Sequence, residues 1–403
     1  MDATDHFDID GQRPRIVETP SSIDSVVELL AQASVDGSGV APVGGGGALQ
    51  IGNPIERYDI ALDMREIDRV LEHQAADLVL SVEAGARLSD VSEALARHGQ
   101  WLPIEAPDPT RATIGGLVAT ALSGPGRLGH GSLRDYLIGI SVVTPTGGLA
   151  KAGGMVVKNV SGFDLMRLHH GALGSLGVIV SANFKVLPAP RGQSSMLCRC
   201  ADLTAAFDTV EIVNRLSQPP SAVVIDQIGA ATIVCARFDG LPGQVRSMAT
   251  AAGEQVDGES EVLVEDESRT WWRVSIDTLA RPQDGIVEVR FGSRPASIAS
   301  LSTTFEGVAR SRDISLESLR IWPGLGTLIV RLDAALGSGD FDVVVRAAEE
   351  AGATWRILAA PAILKLGRDV WGQPPSSLTT MRRLKDQFDP GRILNPGRFS
   401  GHI

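Results

Sequence analysis

Glycine recurs along the first half of this chain in an order that core packing alone does not require. Gly44-Gly45-Gly46-Gly47 comes first, then Pro107-Asp108-Pro109-Thr110-Arg111-Ala112-Thr113-Ile114-Gly115-Gly116, and then Gly124-Pro125-Gly126-Arg127-Leu128-Gly129-His130-Gly131. Lys158-Asn159-Val160-Ser161-Gly162-Phe163-Asp164 and Gly171-Ala172-Leu173-Gly174-Ser175-Leu176-Gly177-Val178-Ile179 complete the set. Each glycine removes a Cβ where backbone has to come close to something. A long, flat, phosphate-bearing ligand needs this in several places at once, because backbone N–H groups hold its pyrophosphate and its rings lie along bare main chain.

Each candidate has a blander reading beside it. The 44–47 loop leaves a predicted strand, as a phosphate loop does, but no Lys-Ser/Thr follows it and it is not a G-x-G-x-x-G turn, so a flexible turn is the alternative. Thr113 stands at an N-cap position before Ile114, Gly115 and Gly116, with Ala119 and Thr120 continuing the helix; open N–H groups aimed at an anion are predicted there, against a helix packed tightly on a sheet. His169 and His170 adjoin the 171–174 turn, where one could serve as a base, although neighbours on a helix point about 100° apart. His130 is either a site residue or a hydrogen-bonded loop residue. Lys158, Asn159 and Asp164 read as ligand-orienting groups or as a helix start. Arg320, Arg331 and Arg356 could bind a carboxylate or be solvated charges on strand edges. Trp271, Trp272 and Trp322 suit a partner patch or a core equally.

The elements that must position these residues alternate as an α/β pattern. Strands are predicted at 16–17, 40–43, 59–63, 78–82, 136–143 and 178–186, with a helix carrying Ile23, Val26, Val27 and Leu30 after the Ser21-Ser22 cap, and another carrying Leu88, Val91, Leu95 and His98 before Gly99. Pro188, Pro190 and Gly192 mark a boundary. Beyond it, strands at 223–228, 232–238, 286–291, 319–322 and 327–332 alternate with helices at 203–216, 242–252, 295–308 and 341–350. That order predicts an antiparallel sheet covered by helices on one face. A terminal helix through Leu378, Met381 and Leu384 runs into Phe388-Asp389-Pro390-Gly391-Arg392-Ile393-Leu394-Asn395-Pro396-Gly397-Arg398, whose two Pro-Gly pairs force a defined path. The predicted division is a tail at 1–12, a cofactor domain at 13–190, an α+β domain at 191–370 and a segment at 371–403 that returns to the cofactor domain.

With 403 residues the chain exceeds the usual span of one core. Its net charge of −11 argues against nucleic acid. Cys198, Cys200 and Cys235 lack the paired spacing of a metal site and read as reduced thiols, so a cytoplasmic protein with no metal is expected. No basic, apolar leader and no span of about 20 apolar residues is present.

Taken in order, the glycine loop, P-D-P-T-R-A-T-I-G-G, G-P-G-R-L-G, K-N-V-S-G-F-D-L, G-A-L-G-S-L-G-V-I and the terminal F-D-P-G-R-I-L-N-P-G-R resemble the vanillyl-alcohol-oxidase (PCMH-type) family of FAD-linked oxidoreductases, and within it the E-subunit group of bacterial glycolate oxidases. The resemblance implies an α+β fold, a two-lobed FAD domain over about 13–190 plus a second α+β domain. It places Gly44, Gly45, Gly46, Gly47, Thr113, Ile114, Gly115 and Gly116 on the pyrophosphate, with Asp108, Pro109, Ala119 and Thr120 in the same set. Gly124, Gly126 and Gly129 would line the channel, and Gly177, Val178 and Ile179 would meet the adenine side or the isoalloxazine edge. Where some relatives bind flavin covalently through a histidine, Ala48 follows Gly47, which implies non-covalent FAD.

The implied chemistry is hydride transfer from the carbinol carbon of a small 2-hydroxy acid, glycolate or D-lactate, giving the 2-oxo acid. It needs an arginine for the carboxylate and a base for the hydroxyl proton, and no catalytic residue is assigned. Related dehydrogenases carry a histidine-rich metal motif in the second domain; here no histidine lies between His170 and His402. The implied partners are a second FAD-domain subunit and an iron–sulfur subunit that takes the electrons, with any contact to the inner membrane made through that complex. The alternative is a non-catalytic flavin-binding or structural subunit whose sister performs the chemistry.

Overall fold

A computed structural model describes residues 5–156, 163–278 and 285–403. The chain forms two compact units: Met1–Ser123, Ser132–Ala189 and Lys365–Ile403 make the first, and Gly124–Gly131 with Pro190–Leu364 the second. Lys158 and Asn159 lie outside the described residues.

The first unit begins with β1 (Ile16–Glu18), α1 (Ile23–Asp36), β2 (Val40–Val43) and β3 (Ile60–Asp63), whose strands form a parallel sheet in the order β1-β3-β2. Ser22 starts α1 by accepting the Ser25 N–H, and Gly37, at φ 66°, ends it. The apolar residues Val26, Leu30 and Ala33 fall on one face and are buried with Val40, Leu62, Val178 and Val180, each large side chain contributing about 1.5–3 kcal/mol. Within the segment expected as a tail, Phe7 and Ile9 are buried among Ala41, Val43, Ile55 and Tyr58.

Next come β4 (Val70–Gln74), β5 (Val79–Glu83), α2 (Leu88–Ala96), β6 (Gln100–Trp101), α3 (Ile114–Thr120) and α4 (Arg127–His130), the last clustering with the second unit. They are followed by α5 (Leu133–Tyr136), β7 (Leu137–Val143), β8 (Leu149–Gly153), α6 (Leu165–His169), β9 (Val178–Lys185) and β10 (Leu187–Pro188). An antiparallel five-stranded sheet runs β4-β5-β9-β7-β8, and β10 pairs with β6. Both edge strands, β4 and β8, escape the sequence reading because they bury little and carry no sustained apolar alternation.

The second unit contains β11 (Gly192–Cys200), α7 (Leu203–Asn214), β12 (Ala222–Ile228), β13 (Ala231–Gly240), α8 (Pro242–Gln255), β14 (Glu259–Val264) and α9 (Asp266–Asp277). It continues with β15 (Ile286–Gly292), α10 (Ile298–Arg312), β16 (Leu316–Trp322), β17 (Thr327–Asp333), α11 (Ser338–Glu350), β18 (Thr354–Ala359) and α12 (Ala362–Lys365). All eight strands join one antiparallel sheet in the order β14-β11-β13-β12-β16-β17-β15-β18. The face predicted to carry helices carries α10 and α11, seen in the Phe291–Phe305 and Phe341–Trp355 ring contacts. The opposite face is not bare: α9 packs there, with Trp272 Nε1 donating to Ser195 Oγ at 2.9 Å.

α13 (Leu378–Phe388) closes the chain in the first unit. The strand-like residues after it bridge Leu394 to Val40 in parallel, so Ile393 and Leu394 complete the core under α1.

Candidate functional site

The 44–47 loop leaves the end of β2 and runs against residues 111–113. A Cβ on Gly44 would collide with Thr113 Oγ1, and one on Gly45 with the Arg111 carbonyl. Arg111 Nη2 donates to Gly45 O at 3.0 Å. Gly46 has φ +73°, a conformation glycine tolerates, with His6 and Arg111 beside it. A Cβ on Gly47 would meet no protein atom within 4 Å. The N–H groups of Gly45, Gly46 and Gly47 reach no acceptor among the described residues. Two stretches about 65 residues apart in sequence thus make one cradle, with unspent donors and open space at its tip.

The start of α3 behaves differently from the expectation of open donors. Ile114 N–H goes to Ala86 O at 2.9 Å and Gly115 N–H to Ala84 O at 2.7 Å, while Gly116 N–H reaches the Thr113 side chain at 3.4 Å. These groups are spent holding α3 to the turn after β5. Gly115 is small because its Cβ would lie 2.8 Å from Ala84 Cβ. Asp108 adopts φ 46°, and its loop satisfies the start of α2: Leu88 N–H donates to Ala112 O and Ser89 N–H to Pro109 O. Ala119 accepts from Leu173 N–H at 2.8 Å, and Thr120 Oγ1 donates back to Gly116 O.

The 171–177 turn is therefore laid on α3. Gly177 is crowded by His169, whose Cε1 would be 3.1 Å from an added Cβ, and Val178 and Ile179 point into the core. His169 is 2% exposed, packs edge-on against Phe388, and burial pushes its pKa down to about 4. It is a neutral packing histidine. Asp164 caps α6 through the Arg167 N–H, the blander of its two readings.

Gly124, Gly126 and Gly129 lie with the second unit. Gly129 is held close to Ser221, whose Cα would be 2.7 Å from an added Cβ. His130 Nε2 is 3.0 Å from Asp239 Oδ2, which also accepts from Ser221 and pairs with Arg237. Burial would raise the Asp239 pKa, but these partners outweigh it and hold the carboxyl below its usual range. Arg320 pairs with Asp226 at 2.6 Å and Arg331 with Glu288 at 2.7 Å, both on interior strands, so neither is a solvated edge charge. Arg356 does sit on the edge strand β18. Trp272 and Trp322 are 2% and 1% exposed, which makes them core residues rather than a partner patch.

Sequence reasoning missed how the terminal segment braces the cradle. Arg398 Nη2 donates to Ile51 O at 2.7 Å and also to Leu49 O, just past the glycine loop. Asn395 Nδ2 donates to Leu173 O at 2.7 Å. Lys385, itself buried, donates to Asp389, Ser175 O and Leu394 O, and Asp389 accepts the N–H groups of Ile393 and Leu394. Burial lowers the Lys385 and Arg398 pKa values, the latter to about 10, with Asp389 and Asp10 respectively opposing it. The two Pro-Gly pairs signal the return of this segment in sequence, but polar and charged residues between prolines give no sign that the charge is buried. Among the described residues no group of histidine, cysteine and carboxylate side chains could hold a metal, and no helix is long and apolar enough to cross a membrane.

An α+β unit whose glycine loop has N–H groups with no acceptor among the described residues suits a nucleotide cofactor, and residues 14–163 match the FAD binding domain family. Glycolate oxidase subunit GlcE of Escherichia coli (strain K12) is 30% identical over 384 residues, which cover 94% of this chain and 97% of that one. Glycolate oxidase subunit GlcD of Bacillus subtilis (strain 168) is 26% identical over 96% of this chain and 88% of its own. D-lactate dehydrogenase of Anaerostipes hadrus is 30% identical over 49% of this chain and 42% of its own. Among solved structures, alkyldihydroxyacetonephosphate synthase superposes with a TM-score of 0.70 at 18% identity, over 96% of this chain and 78% of that one. The chain belongs to the FAD-linked oxidoreductases that include the glycolate oxidase subunits. FAD is its cofactor, and the cradle fits it: three unpartnered N–H groups and the open position at Gly47 suit a pyrophosphate.

Proposed function

We propose that this chain is the FAD-binding subunit of a complex that oxidises a small 2-hydroxy acid, glycolate or D-lactate, to the 2-oxo acid and passes the electrons to an iron–sulfur partner. The observation that carries the reading is the near end-to-end relation to glycolate oxidase subunit GlcE together with a cradle whose donors are unspent. Bound FAD supplies the hydride acceptor. The protein's part is to hold it: Gly45, Gly46 and Gly47 would donate to the pyrophosphate, with Arg111 fixing the loop and Arg398 bracing its far side. Of the 113–116 set, Thr113 keeps its place in the site, forming with Arg111 the wall against which the loop closes, while Gly115 packs on Ala84. Ala48 offers no covalent attachment, so the flavin is dissociable.

A second reading is favoured by one observation. The second unit has a single histidine, His130, already tied to Asp239. On that reading the chain carries flavin while a sister subunit meets the substrate. The purified chain decides between the two in an anaerobic cuvette. A flavin spectrum that bleaches on adding glycolate or D-lactate supports turnover here; a spectrum that persists, but bleaches once the sister subunit is added, supports the second reading. A chain that purifies without flavin and does not take up added FAD contradicts both.

A further inference from the structure

Most arginines on one face of the second unit's sheet have acids beside them, and two in one corner do not. Arg237, Arg320 and Arg331 each face a carboxylate, from Asp239, Asp226 and Glu288. Arg290 on β15 and Arg356 on β18 do not. They are directly opposed across an antiparallel pair, which puts both side chains on the same face with Cβ atoms about 5 Å apart, and no acid pairs with either among the described residues. Like charges facing each other across strands are destabilising.

The nearest acid on this face, Glu288 two residues before Arg290 on β15, is paired with Arg331. Arg290 lies over the Trp322 ring at 5.3 Å, and its Nη2 reaches Thr327 Oγ1 at 3.3 Å. Trp322 is 1% exposed, and its indole N–H has no acceptor among the described residues, an omission that costs about 1–3 kcal/mol. Gly292, two residues along from Arg290 on the same face, removes a side chain between Thr327 and Thr354. Burial, and then the charges of Arg356 and Arg127, push the Arg290 pKa down to about 9. Since guanidinium keeps its proton in proteins, the mismatch persists as unneutralised positive charge. Two guanidinium forks and a free N–H, all donors, suit a carboxylate, which is planar and accepts in pairs.

We propose that Arg290 and Arg356, with the Trp322 N–H and Arg127 at the margin, form a carboxylate-binding site in the second unit that takes a small organic acid. That the acid is the 2-hydroxy acid substrate rests on the function proposed above; the site itself does not. Arg320 and Arg331, the candidates of choice from sequence, are already occupied by their own acids.

Isothermal titration of the FAD-loaded full-length chain with glycolate, with oxalate and with inorganic phosphate tests the proposal, alongside Arg290→Met and Arg356→Met. Glycolate or oxalate should bind saturably, each methionine variant should weaken binding by about tenfold or more, and both variants should keep their flavin spectrum and melt no lower than the parent, since a like-charge contact is gone. Absence of saturable carboxylate binding by the parent overturns the site. So does unchanged binding in both variants, or phosphate competing on equal terms. Carboxylate binding that depends on the arginines without bleaching of the flavin keeps the site and removes the substrate assignment. Bleaching that is unchanged in both variants keeps the activity and removes the substrate assignment from this site.

Discussion

Histidines illustrate how residue type misleads and geometry corrects. His169 sits beside a glycine turn, where sequence leaves it open as a candidate base or a packing residue, and it is buried against Phe388 and Gly177. Its pKa falls from 6.5 to about 4 because the charged form is desolvated. The unfolded chain therefore binds a proton near pH 6.5 that the folded chain refuses until about pH 4, so the stability this residue contributes is present above pH 6.5 and lost as pH falls through that window. Denaturant midpoints should show roughly 2 kcal/mol lost between pH 7 and pH 5 from this residue, and His169→Leu should remove that part of the pH dependence. An unchanged dependence in the variant would mean that His169 is solvated. The glycines teach the same lesson: 44–47 and 115 look alike in sequence, but Gly115 is small to admit Ala84, and Gly115→Leu is predicted to cost stability first and flavin only as a consequence, checked by comparing melting temperature with flavin content.

At the scale of elements, the strands and helices with strong internal periodicity were legible. β2 and α1 were, because alternating or 3.6-spaced apolar residues end at clear caps such as Ser22 and Gly37. β4, β8 and α9 were not: the first two are edge strands with little to bury, and α9 is polar over most of its surface, anchored by Trp272 and Ile276. The 44–47 loop was legible as a candidate for phosphate binding, but its closure against Arg111 and Thr113 is a tertiary fact with no local signal. Nor does sequence show that the terminal segment is held by buried charge. Lys385 and Asp389 are 1% and 0% exposed and 2.7 Å apart. Lys385→Met should leave Asp389 buried and uncompensated and cost about 3–5 kcal/mol, read from the denaturant midpoint, whereas replacing the exposed Arg97–Glu93 pair should change it by less than about 1 kcal/mol. Equal effects would contradict the bracing role.

For the whole molecule, each of the two units carries one of the candidate sites. The first holds the 44–47 loop, the proposed cofactor cradle, braced by residues 395–398; the second holds a sheet with two opposed arginines, Arg290 and Arg356, that have no acid beside them among the described residues. On the proposed reading, electrons leave through a partner, so the isolated chain should be reduced once by substrate and turn over only when an iron–sulfur acceptor is supplied, seen as a single bleach against steady-state kinetics; sustained turnover with oxygen alone would point to a stand-alone oxidase instead. The central claim is that the 44–47 loop is a cofactor cradle and not a flexible turn, and Gly47 tests it most directly, because a side chain there meets no protein atom within 4 Å. The measurement is the flavin-to-protein absorbance ratio of Gly47→Leu, with its flavin-free melting temperature beside it and Gly307→Leu, at an equally open position on α10, as control. A melting temperature like the parent's with the flavin lost in Gly47→Leu alone is the predicted result. Flavin retained by Gly47→Leu at the level of the parent would contradict the account.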